Sequence, residues 1–136
     1  PAMTDIRRLD SVELPVQVDR YPVARYSLVE ARPLTGRRHQ IRRHLSRRGY
    51  PIIGDAKHGK SVHNRFFAEQ MGAPRLLLAA TYLAFDHPLL AKRVQLSCAL
   101  DDTMIALFNH LGWAGHLPLD SVRTPPIATP SALQAL

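Results

Sequence analysis

The 136-residue sequence holds a single cysteine, Cys98, so no disulfide can form within the chain and no multi-cysteine zinc site can be built. Long apolar runs are missing too. Leu76–Ala80, among the longest, falls far short of the roughly 20 residues a membrane helix needs. The first residues lack the basic-then-apolar pattern of a secretion signal. Gly36, Gly54 and Gly59 do not have the spacing of a phosphate loop or a dinucleotide fold, and no serine sits in a nucleophile elbow. These absences point to a reducing, cytoplasmic setting with no membrane partner. The last absence is local. Between Ala31 and Gly54 there is no Asp or Glu, yet seven arginines are present: Arg32, Arg37, Arg38, Arg42, Arg43, Arg47 and Arg48. The remaining 11 Lys/Arg and 11 Asp/Glu cancel, so this one stretch accounts for the net charge of +7. A polyanion is the natural partner of such a patch. The choice of Arg over Lys adds planar forks that match phosphates and base edges.

Hydrophobic periodicity predicts an α+β chain. Val12–Val18 and Ala24–Ala31 alternate as strands and are expected to pair antiparallel, with residues 1–11 irregular before them. Thr35 and Gly36 open a helix over Arg37–Arg48, which Gly49 closes. Ile41 and Leu45 form its narrow apolar stripe, and the arginines surround it. A buried strand is expected at Pro51–Ile53, loop over His58–Asn64 and a short helix over Arg65–Met71. Strands Leu76–Phe85 and Arg93–Leu100 should form a hairpin. Asp101 or Asp102 should cap a last helix ending before Gly112. Cys98 is expected in the core. Residues 1–120 read as one domain, and 121–136, rich in Pro, Ser, Thr and Ala, as a flexible tail.

The basic helix has no acids at i±4 to offset its arginines, which therefore repel one another. Its Thr-Gly start presents free backbone N–H groups, and His and Gln are interleaved with the charges. This pattern favours nucleic acid, with phosphate contact as the dominant interaction. The seven histidines do not have the spacing of a metal site. His39 and His44 lie five apart on different helix faces, and His58 and His63 fall in loop.

Leu34-Thr35-Gly36-Arg37-Arg38-His39-Gln40-Ile41-Arg42-Arg43-His44-Leu45, followed by Gly49-Tyr50-Pro51-Ile52-Ile53-Gly54-Asp55 and Gly59, resembles the T-G-R-x-H-Q-I-R-x-H-L…G-x-P-I-x-G-D signature of the RluA-type pseudouridine synthases. Arg75–Ala80, with Leu83, Phe85, His87 and Pro88, resembles a later segment of that family, with Ala79 in place of a usual His. The segments around His58 and His63–Phe67 look most like a tRNA-acting branch. The resemblance implies a mixed, largely antiparallel sheet flanked by helices, and isomerisation of uridine to pseudouridine without metal or cofactor. The implied substrate is tRNA, at an acceptor- or T-stem uridine, with rRNA as the second choice. By the same resemblance Arg42 pairs with the catalytic aspartate, and Leu78, or else Leu76, lines the base pocket. Arg37, Arg38, His39, Gln40, Arg43 and Arg47 are left to hold RNA.

The family's H-R-L-D-x-x-T-S-G motif is not matched. Arg8-Leu9-Asp10 supplies only three letters of it, with Arg7 where His should stand, and is read as coincidence. Tyr21 and Tyr26 do not sit in the family's tyrosine motif and are expected in the core or on a sheet face. Asp55 is assigned to local hydrogen bonding of its turn. The expectation is therefore a C-terminal half that lacks the nucleophile and is inactive alone. Such a half exposes a sheet edge and is expected to self-associate if it stands alone. The alternatives are a non-catalytic RNA-binding module that reuses half the fold and, on charge alone, a DNA-binding helix.

Overall fold

A computed structural model describes residues 1–118 and 132–135. The fold is α+β, with antiparallel pairing in both hairpins and three helices. It divides into two compact units, one of Pro1–Leu78 with Leu133–Leu136 and one of Ala79–Ala132.

In the first unit, β1 (Thr4–Leu14) pairs antiparallel with β2 (Ala24–Pro33), in register from Thr4↔Pro33 to Leu14↔Ala24 with a bulge between Arg8 and Asp10. The first strand thus begins eight residues before its expected start. The apolar alternation marked only its second half. The ladder to β2 and the cross-strand pair of Arg7 with buried Glu30 at 3.4 Å hold the polar half that sequence made irregular. Val16 and Val18 fall in the connection. The sheet order is β1-β2-β6-β3, with β3 at Leu78–Ala79 and β6 at Ala132–Ala135. The tail expected over 121–136 otherwise lies outside the described residues.

Helix α1 spans Gln40–Arg47 and α2 spans Ser61–Gln70. The core joins Val29 of β2, Leu45 of α1 and Ile52, with Ile41, Leu76 and Leu78 packed against it. Tyr26 is buried against α2, edge-on to Phe67 at 4.7 Å, with its hydroxyl 2.9 Å from His63 Nδ1. Burial pushes this phenol up to about 12. Tyr21, by contrast, is exposed. The start of α2 at Ser61 places His63 and Asn64 on a helix, where loop was expected. Ile52 and Ile53 are buried as expected, but they form no strand. Their segment is a turn tied to the following segment through Leu77 N–H to Ile53 O at 2.9 Å.

In the second unit, β4 (Tyr82–Asp86) and β5 (Arg93–Ser97) form the expected hairpin. The single long strand expected over Leu76–Phe85 is broken. The Arg75 guanidinium takes the carbonyls of Leu76 and Leu78, and β4 pairs in a separate sheet. Cys98 is exposed just beyond β5, a correction to its expected burial, because its strand ends at Ser97. Helix α3 (Asp102–Leu111) is capped by Asp101, whose carboxylate accepts from Met104 N–H at 2.9 Å. Gly112 closes it in the left-handed region, and Trp113 is buried edge-on to Phe108.

Candidate functional site

The site is built on the turn that joins β2 to α1. Thr35 was expected to cap the helix. Instead, His39 holds the N-cap position with φ 53, and no side chain caps the helix there. Gln40 organises the turn. Its Oε1 accepts from the Thr35 hydroxyl at 2.6 Å and from Arg37 N–H at 3.1 Å. Its Nε2 donates to Met3 O at 2.7 Å and to Thr4 Oγ1 at 2.8 Å. All four hydrogen-bonding positions of the amide are thus used inside the protein, and the residue is buried. Gln40, expected to hold RNA, has its amide engaged within the protein and borders the cavity described below. It is a clamp between β1 and the start of α1.

Arg42 points into the protein, as expected, but its carboxylate partner lies in this same chain. Nε donates to Asp55 Oδ2 at 2.8 Å and Nη2 to Oδ1 at 2.7 Å, a two-point fork. Asp55 Oδ1 also accepts from the backbone N–H groups of Lys57 and His58, at 3.0 and 2.9 Å. The carboxylate is fully buried, and the Arg42 side chain is 20% exposed. The Arg42 guanidinium, helped by the two backbone N–H groups, holds the Asp55 carboxyl far below the usual carboxylate range despite its burial. Arg42 is raised in turn, chiefly by its hydrogen bond to Asp55. Nη1 of Arg42 has no partner among the described residues.

The neighbourhood shows why a Gly-Asp pair stands here. Gly54 sits at φ 86, and a Cβ there would run into the Arg75 carbonyl. A Cβ on Gly59 would meet the Asp55 backbone. Asn64 braces the turn from α2, accepting from Gly54 N–H at 2.7 Å and donating to Asp55 O at 3.0 Å. Ser46 ties α1 to the same loop through His58 O at 2.8 Å. Asp55 and Asn64 are the residues that sequence reasoning undervalued. The Gly-Asp turn and the R-x₁₂-D separation were visible, but no local periodicity says that they meet.

A cavity of about 190 Å³ brings the predicted residues together. Arg37, His39, Ile41 and Arg42 line it, along with Thr35 and Leu78. The side of Gln40 also borders it. Arg38, Arg43 and Arg47 are exposed elsewhere on the turn and helix, without a carboxylate partner among the described residues. His39 Nδ1 lies 3.2 Å from His58 Nε2. Burial, then the nearby charges of Arg42 and Arg38, lower its pKa, which favours the neutral ring. Asp10 does not border the cavity. It sits at the bulge of β1, and its Oδ1 accepts from Ser11 N–H at 2.7 Å. Among the described residues no group of three or more His, Cys, Asp or Glu is placed to hold a metal, and no helix is long and apolar enough to cross a membrane.

Comparison with known proteins agrees with the motif. The protein named tRNA pseudouridine synthase C of Salmonella typhi is 45% identical over 118 residues, covering 87% of this chain and 45% of that protein. The chain is similar to proteins named tRNA pseudouridine synthase C. The protein of that name from Vibrio cholerae is 40% identical over 120 residues, 88% of this chain and 49% of its own length. The one from Yersinia pestis is 40% identical over 126 residues, 92% of this chain and 49% of its own length. A match covering 118 of 136 residues necessarily takes in the stretch from Leu34 to Pro88 that carries the motif. The chain spans about half the length of the curated relatives it matches. No family model matches it, and no solved structure does.

Proposed function

We propose that the protein containing this chain isomerises uridine to pseudouridine in RNA, and that its substrate is tRNA. The observation that carries the reading is the convergence of Arg42 and Leu78 on one cavity beside Arg37 and His39, in a stretch that the tRNA pseudouridine synthases C match. The reaction breaks the bond between uracil N1 and ribose C1′, turns the base and joins C5 to C1′; C5 then gives up its proton and N1 takes one up. It needs a base taken out of its stack and a carboxylate held ionised beside it. Among the described residues no carboxylate lines the cavity, and in this reading the nucleophilic aspartate comes from sequence outside this chain. Arg42 is suited to hold that aspartate. Asp55 fixes two of its donor nitrogens and neutralises part of its charge, while Nη1 remains for a second carboxylate. Leu78 supplies an apolar wall for the extruded base, and Arg37, Arg38 and Arg43 hold the phosphates that flank it.

Pseudouridine mapping of tRNA from cells lacking the gene tests the reading. One tRNA position should lose pseudouridine, and the intact gene should restore it. An unchanged tRNA profile removes the tRNA assignment. An altered rRNA profile instead would move the activity to the second substrate class. The isolated 136-residue chain should bind RNA and turn none over; turnover by it would place the nucleophile within this sequence.

A further inference from the structure

A second cavity lies at the other end of α1. Its volume is about 640 Å³, and the start of β1 and the last turn of the helix wall it, with Met3, Ile6, His44, Arg47, Arg48 and Tyr50 among its lining. That is the size of a site for a nucleotide-sized molecule. Tyr50 is held in an unusual way for an exposed aromatic residue. Gly49 turns the chain at φ 83, and Tyr50 N–H donates to Leu45 O at 2.9 Å, so the helix end pins the Tyr50 backbone. The ring itself is 63% exposed and touches no other ring among the described residues. Arg47 and Arg48 are exposed beside it with no carboxylate partner among the described residues. Asp5 is the one carboxylate on the cavity wall. His44 is fixed through Nδ1 to Thr4 Oγ1 at 2.9 Å, which leaves Nε2 as its open edge. Arg43 and Arg47 stand four apart on the helix and share a face. They make a cationic line from the Arg42 cavity to this one along a helix about 12 Å long.

We propose that this cavity is a stacking subsite for an unpaired nucleotide of the RNA strand whose target base enters the Arg42 cavity. The base lies on the Tyr50 ring against Met3 and Ile6, and Arg47 and Arg48 hold its phosphates. The strand runs along Arg43 and Arg47 between the two cavities. An exposed aromatic ring among unpaired guanidiniums is the combination that binds single-stranded nucleic acid. A second copy of the chain fits less well, since it would bring the same excess of positive charge to the same arginines. The inference rests on the RNA partner proposed above and adds a place where that RNA must be unpaired.

The test is the affinity of the full-length protein for a fluorescein-labelled oligouridylate RNA, followed by anisotropy over a range of salt. Tyr50→Ala should weaken binding about tenfold or more, with the salt slope unchanged, whereas Tyr50→Phe should bind within about twofold of wild type. Arg47→Ala and Arg48→Ala should each weaken binding and lower the salt slope by about 0.7. Wild-type affinity in Tyr50→Ala overturns the subsite. So does an equal loss on blunt duplex RNA, where no base is free to stack. A shift in sedimentation with RNA affinity intact also overturns it, and makes the cavity a protein contact. If wild type binds no RNA at all, the proposed function fails with it. If wild type binds and Tyr50→Ala makes no difference, this inference alone fails.

Discussion

Arg42 and Arg43 are consecutive on helix α1. Arg42 turns inward, donates two hydrogen bonds to a buried carboxylate and borders the cavity that also holds Leu78. Arg43 stays exposed, with no carboxylate partner among the described residues. The same contrast divides the arginines of α1 and its C-terminal end, while Arg32, earlier in the basic stretch, pairs with Glu30 at 3.0 Å. One face of α1 is a fixed, internally neutralised assembly of Arg42, Asp55 and Asn64. The other is a row of exposed guanidiniums with no carboxylate partner among the described residues, Arg43 and Arg47 on the helix with Arg48 just past its end. A charge count cannot separate the two, because each arginine adds the same +1. Burial separates them: a guanidinium taken out of water needs a partner, and one left in water does not.

Substitutions that treat neighbours alike can break this contrast. The largest effect is expected for Arg42→Ala, measured on the proposed reaction with the full-length protein at a temperature where circular dichroism shows it folded. Turnover should fall by about a hundredfold or more, with RNA affinity close to wild type. Removing one partner of the buried pair should also lower stability, by about 3–5 kcal/mol in a urea titration. Normal turnover with lost affinity would put Arg42 in the same class as Arg43.

Asp55→Asn should come next. The Asn Oδ1 can still accept from Lys57 and His58 N–H, but Arg42 loses its counter-charge. Stability should fall by about 3 kcal/mol, and kcat should fall more than KM rises. Adding Asp55→Asn to Arg42→Ala should cost much less than it does in wild type, because the two residues share one interaction. Strictly additive losses would show that Asp55 does not act through Arg42.

Arg43→Ala should do little to the fold, within about 0.5 kcal/mol, and leave turnover at saturating RNA unchanged. Its signature is in salt: the slope of log affinity against log salt should drop by about one. An unchanged slope would mean that Arg43 meets no phosphate.

The smallest effect is in pH. His39 and His63 both have lowered folded-state pKa values, first because burial penalises the charged ring. Between that lowered value and the unfolded one near 6.5, the unfolded chain binds protons that the folded chain refuses. Their contribution is therefore complete above the unfolded value and is lost as pH falls through the folded value. The Asp55 pair adds no slope in this window, because its depressed pKa moves its loss into much stronger acid. Urea midpoints at pH 7.5, 6.5 and 5.5 should decline toward acid. A flat series would show that neither imidazole is held neutral by the fold.

Much of the local structure was legible because it rests on short-range chemistry. Gly49 and Gly112 ended helices at the expected residues, Asp101 capped α3, and the β1–β2 and β4–β5 pairings followed from alternation and turns. The failures share a cause. The Thr4–Asp10 half of β1 has no apolar alternation to reveal it, and β2 stabilises it from outside. Gln40 looked like an ordinary polar helix residue, but β1 brings Met3 O and Thr4 Oγ1 to its amide. Asp55 was correctly placed in a bonded turn. Its larger task of holding Arg42 was hidden by 13 residues of separation.

By itself the sequence determined that the excess charge lies in one acid-free stretch, that a helix runs through it, and that the chain is similar over 118 residues to the protein named tRNA pseudouridine synthase C of Salmonella typhi. Composition, 3.6-residue periodicity and residue identity are all properties of the chain before it folds. Only the tertiary structure decided which helix arginine is bound and which have no carboxylate partner among the described residues. That choice depends on a carboxylate carried in by the Gly54-Asp55 turn, where the chain comes so close to Arg75 that no side chain fits at position 54. Once Asp55 is buried there, Arg42 must turn to meet it, and the other arginines of the helix are left in water.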